Sequence, residues 1–374
     1  MFFIYSLLTL CSFVRHHFFS SVDLSFTFVG VNNKLWKRKI NKAMRTQHLF
    51  TFYLVGLLTL VSCNSSIVEK RATGLPYEIL VVMTREVGDS EVGDLVKNQL
   101  KSPIAGLPQP EPAMRVTFVP TETFNGLLRY VRNILVVDID PTKYTMVSLN
   151  GFKDEWAKEQ EVIKLCAPST RELVTYLTLH DSDIVNHFCA IEKDRRIKIL
   201  KEHYSQLAMD KVQEKFGMKL HAPDDMTYYK DTTDFLWVSN NAKTGRVDLI
   251  VYSFPYTDAN TFTQDYLVAK RDSVLKDNLP GAFPDSYMTT ERRVDLTYEP
   301  IMLHDKYCGV LRGLWKMVGD KMGGPFVSHA FLDTKTQRVI VAEGLVYAPE
   351  TTKRNYIRKI EAALYTARLD TISR

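Results

Sequence analysis

The stretch that decides the fold class is Pro300–Val346, PIMLHDKYCGVLRGLWKMVGDKMGGPFVSHAFLDTKTQRVIVAEGLV. It contains three apolar runs, Tyr307–Trp315, Phe326–Leu332 and Arg338–Val346, preceded by a shorter one at Pro300–His304. Runs of this length, rich in β-branched and aromatic residues and parted by short turns, predict adjacent strands joined by hairpins. Working outward, Phe235–Ser239, Val247–Phe254 and Ser286–Arg292 read as further strands. Thr261–Asn278 reads as a helix stopped by Leu279-Pro280-Gly281. The closing segment Thr351–Leu369 puts Tyr356, Ile360, Ala363, Leu364 and Ala367 on one helical stripe.

Towards the N-terminus, Tyr77–Met83 is an apolar run bounded by Pro76 and Thr84, and Met114–Pro120, Ile134–Ile139 and Tyr144–Leu149 also read as strands. Ser90–Leu100 and Thr123–Val131 read as helices. From Ser169 to Phe216 the period is helical, and Gly217 is a fitting stop. Runs of adjacent strands predict an α+β protein: two antiparallel sheets with helices packed on them, separated by a long helical segment. The expected domains are an N-terminal one over 76–216 and a C-terminal one over 217–374.

The chain has 374 residues, 45% hydrophobic and 24% charged, which are globular values. Its formal charge of +5 is local: residues 1–63 hold seven Lys or Arg and one acid, leaving 41 basic and 42 acidic residues beyond. No long basic stripe remains to neutralise a phosphate backbone, so no nucleic-acid partner is expected.

Leu49–Val61 is an apolar run preceded by Met44-Arg45 and followed by Ser62-Cys63. A short basic start, an apolar core and small residues are the parts of a secretory signal. The ending Leu60-Val61-Ser62-Cys63 resembles the lipobox of bacterial lipoproteins, in which the cysteine becomes acylated. Residues 44–62 are then the signal peptide and 1–43 an overextended start. Cys63 is the lipid attachment, and 63–75 a tether of at most about 40 Å. With only Glu69 as an acid in that tether, the expected place is the periplasmic face of the outer membrane. Cys166, Cys189 and Cys308 form no zinc or CxxC pattern, so neither a metal cluster nor a disulfide framework is expected.

No HExxH, GxSxG, GxxxxGK[ST] or GxGxxG motif is present, and no cofactor is expected. Asp183 and His187 are four apart on a helix and could share a metal; Asp181 or Ser182 as a helix cap explains the segment equally. Asp138 and Asp140 lie two apart at a strand end, where Asp140-Pro141 is also an ordinary exit from a strand. Ser328 and His329 are neighbours on a strand, so they face opposite ways and cannot bond each other. The most distinctive segment is Met322-Gly323-Gly324-Pro325. It is either a hairpin loop or a loop whose backbone receives a ligand or partner, framed by Arg312 and Trp315. The proline-rich segment carrying Pro108, Pro110 and Pro112 reads as an exposed loop.

Several of these segments resemble one family. They are Cys63 closing a signal, Gly106-Leu107-Pro108-Gln109-Pro110-Glu111-Pro112, Arg132-Asn133-Ile134, Tyr287-Met288-Thr289-Thr290, Met322–Ser328, and Glu343-Gly344 with Tyr347-Ala348-Pro349. The family is the Bacteroidota lipoproteins described as domain of unknown function 4837, and the resemblance runs from about Pro76 to Leu369. It implies an envelope protein and brings no catalytic residues. The expectation is a lipid-anchored protein with a non-catalytic binding or scaffold role, its partner an envelope protein or glycan. The alternative is a periplasmic hydrolase of envelope polymers, which requires a cleft with convergent polar groups.

Overall fold

The computed structural model describes residues 69–369. The signal, Cys63 and the start of the tether lie outside that range. In chain order the elements are β1 (Glu78–Met83), α1 (Arg85–Gly88), α2 (Glu91–Leu100), β2 (Arg115–Pro120), β3 (Asn133–Ile139), β4 (Ser148–Lys153), β5 (Glu161–Ala167), α3 (Thr170–Leu179), α4 (Asp183–Glu202) and α5 (Gln206–Phe216). There follow β6 (Met218–Lys219), β7 (Tyr228–Thr232), β8 (Phe235–Ser239), β9 (Arg246–Pro255), α6 (Gln264–Asn278), β10 (Tyr287–Thr290) and β11 (Thr297–Leu303). The last are β12 (Lys306–Val318), β13 (Gly323–Asp333), β14 (Arg338–Tyr347), α7 (Arg354–Leu364) and β15 (Arg368–Leu369). No described helix is long and apolar enough to cross a membrane.

The first sheet has the order β2-β1-β3-β5-β4. β1 runs parallel to β2 and to β3, and β3 parallel to β5; β4 alone is antiparallel, at the edge. The expected antiparallel N-terminal sheet is thereby corrected to a parallel one with an antiparallel edge strand. The physical reason is visible in the residues: Ile79–Met83 and Ile134–Leu135 are buried without alternation, as strands covered on both faces must be. One face packs Val92, Val96 and Leu100 of α2, Leu173 and Leu177 of α3, and Phe188 of α4. The other carries Leu80, Val82, Ile134 and Val162 under Phe124, Leu128 and Trp156. Gly126–Tyr130, expected as helix, is a 3₁₀ turn in this cover. Strand β5 was not foreseen, because Lys164 interrupts its apolar run; its ammonium lies 4.6 Å from the Phe152 ring on β4.

The second sheet has eight strands in the order β10-β12-β13-β14-β9-β8-β7, with β11 also pairing β12, and every pairing is antiparallel. Its core strands come from the stretch that opened the sequence reading. One face packs against α5 and α7 through Val212, Phe216, Ile357, Ile360 and Ala363. The opposite face packs against α6 through Leu267, Val268 and Leu275. β6 and β15 form a third, two-stranded sheet.

The expected separating helical segment is three helices that do not separate the sheets. α3 belongs to the first core and α5 to the second. α4 serves both, with Ile184, Val185 and Phe188 in one and Leu200 in the other. α5 is capped at its start by Ser205, whose Oγ accepts from Ala208 N, a break the sequence reading did not place; it ends at Gly217 with a left-handed φ of 61°, the stop expected there.

Candidate functional site

Arg312 and Trp315 are three positions apart on β12, so their side chains leave opposite faces of the sheet and do not frame one site. Arg312 lies on the α7 side, where its guanidinium bonds Glu361 at 2.7 and 3.1 Å. Trp315 is 1% exposed on the α6 side, and its indole donates to Val346 O at 3.2 Å.

Gly323, Gly324 and Pro325 are the first residues of β13 rather than an open loop. A Cβ on Gly324 would stand 2.0 Å from Val346 O and 3.2 Å from the Trp315 indole nitrogen. The glycine is what lets the indole reach that carbonyl, so its sequence signal comes from packing. Pro108, Pro110 and Pro112 are exposed, as expected, but the loop between them is tied down. Glu111 is buried and accepts from the backbone nitrogens of Lys353 and Arg354 at 2.7 and 2.9 Å. Helix α7 has no side-chain cap of its own, and a carboxylate from the far end of the chain supplies one.

Three of the segments that carry the family resemblance, those holding Thr290, Phe326 and Glu343, meet at an interior ion pair. Arg271 of α6 and Glu343 of β14 are both fully buried and bonded through Nε and Nη2 at 2.7–3.0 Å. Arg271 also donates to Thr290 Oγ1 at 2.8 Å and lies 3.8 Å from the Phe326 ring. Burial pushes the Glu343 carboxyl up, against the pull of Arg271. Arg132 and Asn133 enter a second such cluster, where Asn133 and Arg195 each bond Glu192 Oε1, at 2.8 and 2.7 Å, and Arg132 pairs with it at 2.9 Å.

The remaining sequence candidates are drawn apart. Asp183 bonds His180 at 2.8 Å while His187 bonds Glu161 at 2.9 Å. Asp138 accepts from the Tyr144 hydroxyl at 2.8 Å, and Asp140 closes a turn onto Thr142 and Lys143. Ser328 lies across the ladder from Glu343, and His329 faces the other side of the sheet against Tyr365. Among the described residues no group of three or more His, Cys, Asp and Glu is placed to hold a metal. Cys166, Cys189 and Cys308 are free thiols.

A cavity of ≈ 340 Å³ opens on the α6 face of the second sheet, beneath the turn Leu279–Ala282. Trp315, Met288, Met317 and Leu345 make an apolar floor. On one wall Asp248 accepts from the Trp237 indole at 3.2 Å and from Arg246 Nε at 3.1 Å. Burial pushes the Asp248 carboxyl up, while Arg246, Ser239 and Trp237 pull it down. Since both carboxylate oxygens accept hydrogen bonds, this wall is suited to orienting a ligand rather than to removing a proton. Phe283, 59% exposed, follows the rim turn. Trp237, Arg246 and Asp248 escaped the sequence reading because their strands meet only in the sheet. The available signal was Asp248 itself, a charge inside the apolar run of β9.

No curated protein matches the chain. Residues 72–201 match a family described as Domain of unknown function (DUF8532). The resemblance drawn from Pro76 to Leu369 is therefore narrowed, since Gly106–Pro112 and Arg132–Ile134 fall in that family. Residues 205–366, which hold Arg271, Thr290, Phe326 and Glu343, match the family described as Domain of unknown function (DUF4837).

Proposed function

We propose that this is a lipid-anchored cell-envelope protein, attached through Cys63 on the periplasmic face of the outer membrane, with a non-catalytic binding role. The anchor reading rests on the signal-like segment 44–62 and its lipobox ending. The binding reading rests on one observation: a mostly apolar cavity with a tryptophan floor and a fixed polar wall, beside an exposed phenylalanine. An apolar side chain of a partner envelope protein fills such a cavity, with Arg246 and Asp248 setting its orientation.

Two measurements in intact cells test the halves separately. Cys63→Ser is expected to abolish acylation and move the protein out of the membrane fraction; unchanged fractionation refutes the anchor. A photo-crosslinking residue at Ala282, on the cavity rim, is expected to trap one dominant envelope protein that the same group at exposed Lys335 does not trap. Identical products from both positions refute the binding site.

A further inference from the structure

We infer that a second cleft, on the opposite face of the large sheet between α4 and α7, binds a small phosphomonoester. The cleft measures ≈ 280 Å³. Two helical stripes line it: Asn186, Cys189, Ala190 and Lys193 from α4, and Arg358, Glu361, Ala362 and Tyr365 from α7 and the residue after it. Each stripe follows the i, i+3, i+4, i+7 spacing that aligns one helix face. Ala190 and Ala362 stand in the middle of their stripes, where short side chains leave the room.

The charge in the cleft is unbalanced. Three cations, Lys193, Arg312 and Arg358, line it with one carboxylate, Glu361. Glu361 is spent on Arg312, through two bonds to the same oxygen. Exposed Glu299 also reaches Arg312, at 3.4 Å, from outside the cleft. The other two cations have no carboxylate partner among the described residues. Arg358 lies 4.0 Å from the Tyr77 ring, donates to Ala113 O at 2.9 Å, and touches Cys189 Sγ at 3.4 Å. Lys193 lies 3.9 Å from the Tyr365 ring. Both heads are therefore held in place by aromatic faces and half-buried, with donors left over.

Behind Tyr365, fully buried His329 adds no negative charge, and its ring stands at 90° to the tyrosine. Two fixed, uncompensated cations suit a ligand carrying close to two negative charges. A phosphomonoester has about −1.5 to −2 at pH 7 and three acceptor oxygens, whereas a carboxylate supplies half that charge. The cleft volume admits the phosphate and a small attached group.

The test uses the purified protein and inorganic phosphate as probe, read by thermal melting and by ³¹P line broadening, against chloride and acetate at matched ionic strength. Phosphate is expected to raise the melting temperature saturably above both controls. Lys193→Gln is expected to weaken binding by about tenfold or more, since it removes one charge-assisted contact. Lys198→Gln, on the same helix but outside this cleft, is expected to bind as the parent does. Arg358→Gln is expected to lose binding; should it fail to fold because Ala113 O loses its donor, Lys193→Gln carries the result. Equal melting in phosphate and chloride overturns the inference. So does acetate matching phosphate, or unchanged saturation by Lys193→Gln.

Discussion

Replacing His329 with leucine should flatten the acid side of the stability profile. The imidazole is fully buried among Phe331, Tyr365 and the interior of the large sheet. Neither ring nitrogen makes a full hydrogen bond, apart from a contact with the Leu364 backbone. Burial first, then the nearby charges of Arg312 and Lys193, hold its pKa down to about 3, against 6.5 for an ordinary histidine. The folded protein therefore keeps His329 neutral while the unfolded chain takes up a proton below pH 6.5. Stability linked to this group is complete above pH 6.5 and falls as the pH drops towards about 3. The slope rises to about 1.4 kcal/mol per pH unit below pH 6.5, so the loss between pH 6.5 and 4.5 is about 2.3 kcal/mol. Urea unfolding of parent and His329→Leu at a series of pH values measures this as a difference, in which the carboxylates common to both cancel. At neutral pH the two should lie within about 1.5 kcal/mol, since the variant removes two unsatisfied nitrogens but changes the shape. Parallel profiles for the two proteins between pH 6.5 and 4.5 would refute the reasoning.

Two further outcomes follow from the interior. Arg271→Met leaves the buried Glu343 carboxyl without its partner in the second core, and should lower stability by about 3–5 kcal/mol; the double variant Arg271→Met with Glu343→Leu should recover most of it, as urea midpoints will show. Glu111→Ala removes the side-chain cap that Glu111 places on α7, and should cost about 1–2 kcal/mol while opening the 103–112 loop to limited proteolysis.

Local signals announced several elements because local physics makes them. The apolar runs Tyr307–Trp315, Phe326–Leu332 and Arg338–Val346 became β12, β13 and β14, since their side chains demand burial and the turns between them are short. Gly217 stops α5 because only the left-handed φ it adopts there lets the chain turn away cheaply. By contrast, a strand does not state its partner's direction. Tyr77–Met83 reads the same whether it pairs parallel or antiparallel, and here the crossover through α1 and α2 makes it parallel to β2. Lys164 hid β5, because its charge breaks the apolar run, and only the folded sheet sets the Phe152 ring beside it and leaves it half-exposed.

The candidate sites divide in the same way. Taken alone, the sequence determined which segments are distinctive: the proline loop, the glycine pair before Pro325, Arg312, Trp315, and the motif around Glu343. Tertiary structure alone decided what each is for. The strand alternation sends Arg312 and Trp315 to opposite faces; the Gly324 backbone makes way for an indole; Glu111 crosses the fold to cap a helix more than two hundred residues later. Lys193 and Arg358 are unremarkable on their own helices, and become a cleft with surplus positive charge only where α4 and α7 meet. The reason is physical: hydrophobicity and turn chemistry act over a few residues, whereas charge balance and open volume are properties of neighbours that only folding brings together.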